Sequence, residues 1–186
     1  VTSYPARYKI TLSLIILALG VGWIWFSRTP LSSGSVDLLH APQAGFSPPD
    51  FSLACLTGEE FKLSDMTGKP LVINFWASWC PPCRAEMPAL NQISQEYGNS
   101  GLVVAAVNAT SQDSLNDVSA FVSTYQLTFP IPLDSAGSAA RDYNVHSLPT
   151  TFFITAEGVV NKVIIGGPLP VSMLRIEINR LLQEKR

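Results

Sequence analysis

The sequence predicts an α/β domain, a central sheet with helices on both faces, set behind an apolar N-terminal run. Three observations carry that prediction. Residues 71–77 and 102–107 are short, nearly continuous apolar runs, the character of strands covered on both faces. Residues 86–97 and 114–125 repeat apolar side chains at helical spacing. The C-terminal part holds two more strand-like runs on either side of Glu157-Gly158, and then a final helical pattern. A layered sheet buries all of these at once.

The elements follow in order. Residues 51–56 alternate, Thr57-Gly58 turns the chain, and residues 60–63 alternate again, which predicts a β-hairpin. Residues 71–77 form the first core strand. Met87, Leu90 and Ile93 define the buried stripe of a helix over 86–97, with Pro88 inside it as a kinking residue. Residues 102–107 form the second core strand. Leu115, Val118, Phe121 and Val122 share one face of a helix over 114–125, with Asp113 as its N-cap. Residues 151–154 and 159–165 should pair antiparallel around their turn. Pro170 opens the last helix, 171–182, because proline is tolerated in a first turn.

Residues 10–26 carry no charge and approach the ~17–25 residues a bilayer-crossing helix needs. Arg7 and Lys9 precede the run, and Trp23, Trp25 and Phe26 crowd its end. This predicts a single-pass cell-membrane anchor with residues 1–9 in the cytoplasm and the domain outside. A cleaved signal peptide is the rival reading and exports the domain equally. A buried core helix fits less well, because the run is apolar on all faces. Residues 27–45, rich in Ser, Gly and Pro, read as a flexible tether, leaving 46–186 as the domain. The formal charge of −2, with only 14% charged residues, leaves no basic footprint for nucleic acid.

The chemistry sits at Trp79-Cys-Pro-Pro-Cys83, between the first core strand and its helix. Two thiols spaced this way can close a short disulfide. A helix N-terminus offers unpaired N–H groups and partial positive charge, which favour a thiolate. The thiolate is the nucleophile, so the placement raises reactivity. Cys80, before the first turn, should be exposed and attack a substrate disulfide; Cys83, one turn in, should be shielded and resolve the mixed disulfide. A structural disulfide or half a zinc site are the alternatives. Zinc needs four ligands, and beyond this pair only Cys55, His40 and His146 remain, so no metal is expected. Cys55 lies on an alternating apolar face and reads as a small buried hydrophobe, with a third redox thiol as the sharper option. His146 falls at the rim of the site.

The stretch Asn74-Phe-Trp-Ala-Ser-Trp-Cys-Pro-Pro-Cys-Arg-Ala-Glu-Met-Pro88 resembles the TlpA/ResA-like, AhpC/TSA-redoxin-like branch of the thioredoxin superfamily. So do Pro49-Asp-Phe-Ser-Leu53, Gly68-Lys-Pro70 and Val145-His-Ser-Leu-Pro-Thr-Thr-Phe-Phe-Ile154. The resemblance implies a thioredoxin fold with an N-terminal hairpin and an insert around residues 109–140. It implies a cis Leu148-Pro149 bond beside the cysteines, where the Leu148 backbone meets an extended peptide. The plainer reading of Pro149 is the start of a strand. Thioredoxin proper has a buried acid where this chain has Asn74. The membrane-anchored relatives carry a glutamate three residues after the second cysteine, here Glu86, which could take or relay the Cys83 proton. Otherwise Glu86 is a surface carboxylate near a helix start. Trp79 should cover the disulfide and, with Pro81, Pro82, Leu148 and Pro149, shape the substrate groove.

The resemblance therefore implies an extracytoplasmic oxidoreductase without a cofactor. It would reduce protein disulfides, such as apocytochrome c or copper-site cysteines, in cytochrome c maturation. Its electrons would come from a transmembrane donor of the CcdA/DsbD type. Two other classes are weighed. A thioredoxin-fold copper metallochaperone would space its cysteines by three residues rather than two. A thiol peroxidase would need Pro and Thr or Ser where this chain has Ile73 and Ala77. Pro81 and Pro82 lack backbone N–H groups, so the Cys80 thiolate has few donors and the site should be a reductant.

Overall fold

A computed structural model describes residues 16–19, 22–23 and 41–184. Most of the predicted span 10–26, and the tether up to residue 40, lie outside the described residues. Among the described residues no helix is long and apolar enough to cross a membrane.

The hairpin forms as β1 (Ser52–Ala54) and β2 (Glu60–Lys62), paired antiparallel. The first core strand, β3 (Leu71–Trp76), is buried along its whole length. Helix α1 (Pro81–Tyr97) then crosses back to β4 (Val103–Asn108), which pairs parallel to β3. Helix α2 (Leu115–Thr124) and a short α3 (Ser138–Asp142) occupy the stretch before β5 (Thr150–Ile154). β5 pairs antiparallel to β3, β6 (Val160–Ile165) antiparallel to β5, and α4 (Val171–Glu184) closes the chain. The sheet order is β4-β3-β5-β6, so β3 is a central strand with a ladder on each edge.

Alternation along β3 divides the core. Val72 and Trp76 face one side, where α1, α2 and α4 supply Met87, Leu90, Ile93, Phe121, Leu174 and Ile178. Leu71, Ile73 and Phe75 face the other, covered by the hairpin and by Ala139 and Tyr143 around α3. A fully buried large apolar side chain contributes roughly 1.5–3 kcal/mol, so a strand buried on two sides is a strong anchor for the loop that leaves it. That loop, at the C-terminal end of β3, carries the cysteine motif.

Two local expectations are corrected. The N-cap of α2 is Ser114, not Asp113, whose carboxylate is turned largely toward Ser78 and Asn108. Leu115 is 52% exposed, because its place in the first turn of α2 lies beyond the edge of the core. The apolar spacing over 86–97 marks only part of its helix, which begins at Pro81 as the placement of Cys80 before the first turn expects, since prolines at the first two positions lack only N–H groups that a helix start leaves unpaired.

Candidate functional site

The loop from β3 into α1 places Cys80 as the N-cap of α1 with extended backbone, and its Sγ accepts the Cys83 N–H at 3.4 Å. Cys80 and Cys83 are joined by a disulfide with Cα atoms 5.3 Å apart. The expectation that Cys80 is exposed is corrected: it is 3% exposed, and Cys83 is fully buried. Cys80 lines a groove. That groove, about 340 Å³, is lined by Trp79, Cys80, Pro81, Pro82, His146 and Leu148, among others. Trp79 is half-exposed and does not lie flat in the core; its indole N–H donates to the Gln112 carbonyl at 2.8 Å.

The Leu148-Pro149 bond is cis, and Pro149 is buried just before β5. Pro149 thus immediately precedes a strand and adopts the cis form. It stands beside Gly167, where a Cβ would come within 2.8 Å of the Pro149 ring and 2.5 Å of Glu86 Oε2. The Gly167-Pro168 bond is cis as well.

Glu86 is no surface carboxylate. It is 1% exposed and points from α1 into the core. Its Oε1 accepts the Asn74 amide at 2.7 Å, and its Oε2 accepts the Leu169 N–H at 3.1 Å. Burial raises its pKa to about 7, against the two hydrogen bonds, which favour the charged form. Residues three apart on a helix share a face, so Glu86 lies one turn beyond Cys83 on the buried side of α1. A carboxyl group titrating near neutrality beside a thiol can both accept and return a proton.

A second carboxylate, which the sequence pattern assigned only to a helix cap, steadies the cysteine loop. Asp113 accepts the Ser78 N–H and the Ser78 hydroxyl, each at 2.6 Å, and the Asn108 amide at 2.9 Å. Partial burial opposes its charge, yet hydrogen bonds from Asn108, Ser78 and Ser114 outweigh it and hold its pKa below the usual range. The Ser78 carbonyl in turn accepts Arg84 Nη1 at 3.0 Å. Arg84 also lies over the Phe121 ring, 4.9 Å from its centroid, so its charge is engaged away from the groove. A small polar residue two positions before the first cysteine was the signal available for this clamp.

Cys55 is buried in the core layer on the other side of β3, and burial raises its thiol pKa. His146 is exposed at the groove rim. Among the described residues no three His, Cys, Asp or Glu side chains gather as a metal ion would require.

The AhpC/TSA family model matches residues 45–163. Thioredoxin-like protein YneN of Bacillus subtilis (strain 168) is 44% identical over 160 residues, covering 85% of this chain and 91% of that protein. Thiol-disulfide oxidoreductase ResA of Geobacillus kaustophilus (strain HTA426) is 35% identical over 173 residues, 93% of this chain and 92% of ResA. Among solved structures, StoA from Bacillus subtilis aligns with a TM-score of 0.62 at 30% identity, over 70% of this chain and 97% of StoA. A thioredoxin-family thiol:disulfide interchange protein from Chlorobium tepidum TLS aligns at 0.67 and 27% identity, over 73% of this chain and 95% of its own.

Proposed function

This chain belongs to the AhpC/TSA family and is a thiol-disulfide oxidoreductase of the ResA/YneN type with a thioredoxin-like fold, and from that premise we propose that it is a membrane-tethered, extracytoplasmic reductase of protein disulfides. The observation that carries the proton step is the buried Glu86 one turn beyond Cys83, while the reducing direction rests on Pro81 and Pro82, which offer the Cys80 sulfur no backbone N–H.

In the reduced enzyme the Cys80 thiolate enters the reaction through the groove. It attacks one sulfur of the substrate disulfide, and the other substrate sulfur leaves as a thiolate that takes up a proton. Cys83 then passes its proton to the Glu86 carboxylate, and its thiolate attacks Cys80 Sγ. The second substrate sulfur leaves and is protonated. Two protein thiols have become one disulfide, and one substrate disulfide has become two thiols. A membrane dithiol donor of the CcdA/DsbD type returns the pair to the reduced state. Trp79, Pro81, Pro82 and Leu148 line the groove that holds the substrate strand, with Pro149 seated behind it against Gly167. Apocytochrome c and copper-site proteins, whose paired cysteines must be reduced before they take haem or metal, are the proposed substrates.

The test is a trap. Cys83→Ser in the native organism should accumulate a mixed disulfide through Cys80 with an exported protein bearing paired cysteines. Cytoplasmic partners alone would refute the location, and adducts independent of Cys80 would refute the mechanism.

A further inference from the structure

The proposed reaction uses Glu86 and leaves its hydrogen-bond partner on the sheet without a role. Asn74 lies at the middle of β3, fully buried, in register with Ala106 on one side and Thr151 on the other. Its Nδ2 donates to Glu86 Oε1 at 2.7 Å and to Thr151 Oγ1 at 2.9 Å. Its Oδ1 is buried with no hydrogen-bond partner. Buried polar atoms are nearly always paired, so an orphan beside a proton-exchanging group calls for an explanation.

We propose that Asn74 is a positioning residue whose carboxamide turns over with the protonation of Glu86, offering Nδ2 to the carboxylate and Oδ1 to the carboxylic acid. In the first orientation both Nδ2 protons are used, by Glu86 and Thr151. When Glu86 holds the proton, that donor pair faces a donor. A half-turn about the terminal bond of Asn74 then places Oδ1 where Nδ2 was. Oδ1 accepts the Glu86 O–H and the Thr151 hydroxyl proton, which is free to rotate toward it. The exchange needs no extra space, because the oxygen and the NH2 group are close in size. Each orientation leaves one end of the amide unpaired, so neither is locked, and the Glu86 proton decides between them.

The inference rests on Glu86 cycling between carboxylate and acid in the proposed reaction. It also gives asparagine at this position a reason. Aspartate would add a second titrating group 2.7 Å from Glu86, and two buried carboxyls so close would share one proton. Asparagine supplies either a donor or an acceptor and carries no proton of its own. The groups against the Glu86 carboxyl are the Asn74 amide from β3 and, before α4, Gly167 and the Leu169 N–H; Thr151 on β5 joins the network through Asn74, and Cys83, the nearest titratable residue on α1, lies one turn back. In the oxidised protein neither Cys80 nor Cys83 titrates, which leaves Glu86 as the titrating group at the network.

The test is a pH titration of the oxidised full-length chain by NMR. The carboxyl carbon of Glu86 and the side-chain amide of Asn74 are followed from pH 5 to 9. The Asn74 NH2 protons should show close contacts to the Thr151 side chain above the Glu86 midpoint, near 7, and lose them below it as the amide turns, and this switch should be absent in Glu86→Gln. Asn74→Leu should raise the Glu86 midpoint by about half a unit or more, because a hydrogen bond to the carboxylate is lost. If Glu86 does not titrate in this window, the proton-relay reading falls and the inference with it. If Glu86 titrates while the Asn74 amide stays fixed, the inference alone is overturned. The wild-type measurement decides this even if Asn74→Leu does not fold.

Discussion

Glu86→Gln tests the site through stability as well as rate. In the folded oxidised protein the Glu86 pKa is raised from 4.5 to about 7, chiefly by burial. The native state therefore holds a proton between these values that the unfolded chain has released. Where the native state binds more protons, stability falls as pH rises. The contribution is complete below about 4.5 and is lost as pH climbs through about 7. A raise of that size, at about 1.4 kcal/mol per unit, amounts to on the order of 3 kcal/mol. The assay is guanidinium unfolding of the oxidised protein at pH 5 and pH 8, wild type against variant. Wild type should lose on the order of 3 kcal/mol more than Glu86→Gln across that interval, so the difference between them cancels the other titrating groups. The variant carries its own cost of about 1 kcal/mol at both pH values, from imperfect pairing with Asn74 and Leu169. Parallel pH dependences in the two proteins would show that Glu86 is not held at a raised pKa, and the proton role assigned to it would fail.

Cys80→Ser should abolish disulfide exchange, whereas Cys55→Ser should leave it nearly intact, since Cys55 lies across the sheet in a different core layer; an insulin-reduction assay on both folded variants decides. Asp113→Ala removes four hydrogen bonds to a carboxylate and leaves the buried Ser78 donors unpaired, at a cost of about 2–4 kcal/mol in chemical denaturation and with slower exchange. Gly167→Ala should cost about 1–3 kcal/mol and shift the pH dependence of exchange, because its Cβ would meet Glu86 Oε2 at 2.5 Å. A Gly167→Ala protein with wild-type stability and pH profile would show that the loop before α4 yields without moving Glu86. A glutathione titration should place the couple well below about −120 mV, where a strong oxidant sits, with a Cys80 pKa above about 6.

The features legible in the sequence were local or periodic. The strand over 71–77 showed as an apolar run, the helix after it as Met87, Leu90 and Ile93, and all three prove buried. The cysteine pair at a helix start is a feature of adjacent residues. The role of Glu86 was implied by the resemblance and by its one-turn offset from Cys83. Its burial was not, because the groups that surround it come from β3 and from the loop before α4, 12 and 83 residues away. Nothing local marks Leu169 as a donor, although Gly166-Gly167-Pro168 does mark a close backbone approach. Helix α3, five residues long, is too short to show a period. The covering of Cys80 escaped for the same reason as the Asp113 clamp. The clamp depends on the 108–113 stretch meeting the motif, through Asp113 on Ser78 and the Gln112 carbonyl on Trp79, and the groove at Cys80 takes its walls from residues 109, 112, 140 and 145–148.

The position of the acid bears on the direction of the reaction. With Asn74 on the strand, the proton carrier is on α1, the helix that carries both cysteines. The donors that hold it come from elsewhere in the fold: Asn74 on β3, with Thr151 on β5 behind it, and the Leu169 N–H. The carrier and the resolving thiol thus share one rigid helix, while the groups tuning the carrier sit on the sheet and the closing loop. Cys80, by contrast, has the Cys83 N–H at 3.4 Å as its hydrogen-bond donor, and Pro81 and Pro82 add none. A strong oxidant needs its reduced form stabilised at the nucleophile. Here the polar groups are instead concentrated one turn beyond the resolving cysteine, where in the proposed reaction they receive the Cys83 proton and offer nothing to a resting Cys80 thiolate. That division favours a dithiol that gives up its electrons readily, as a reductase requires.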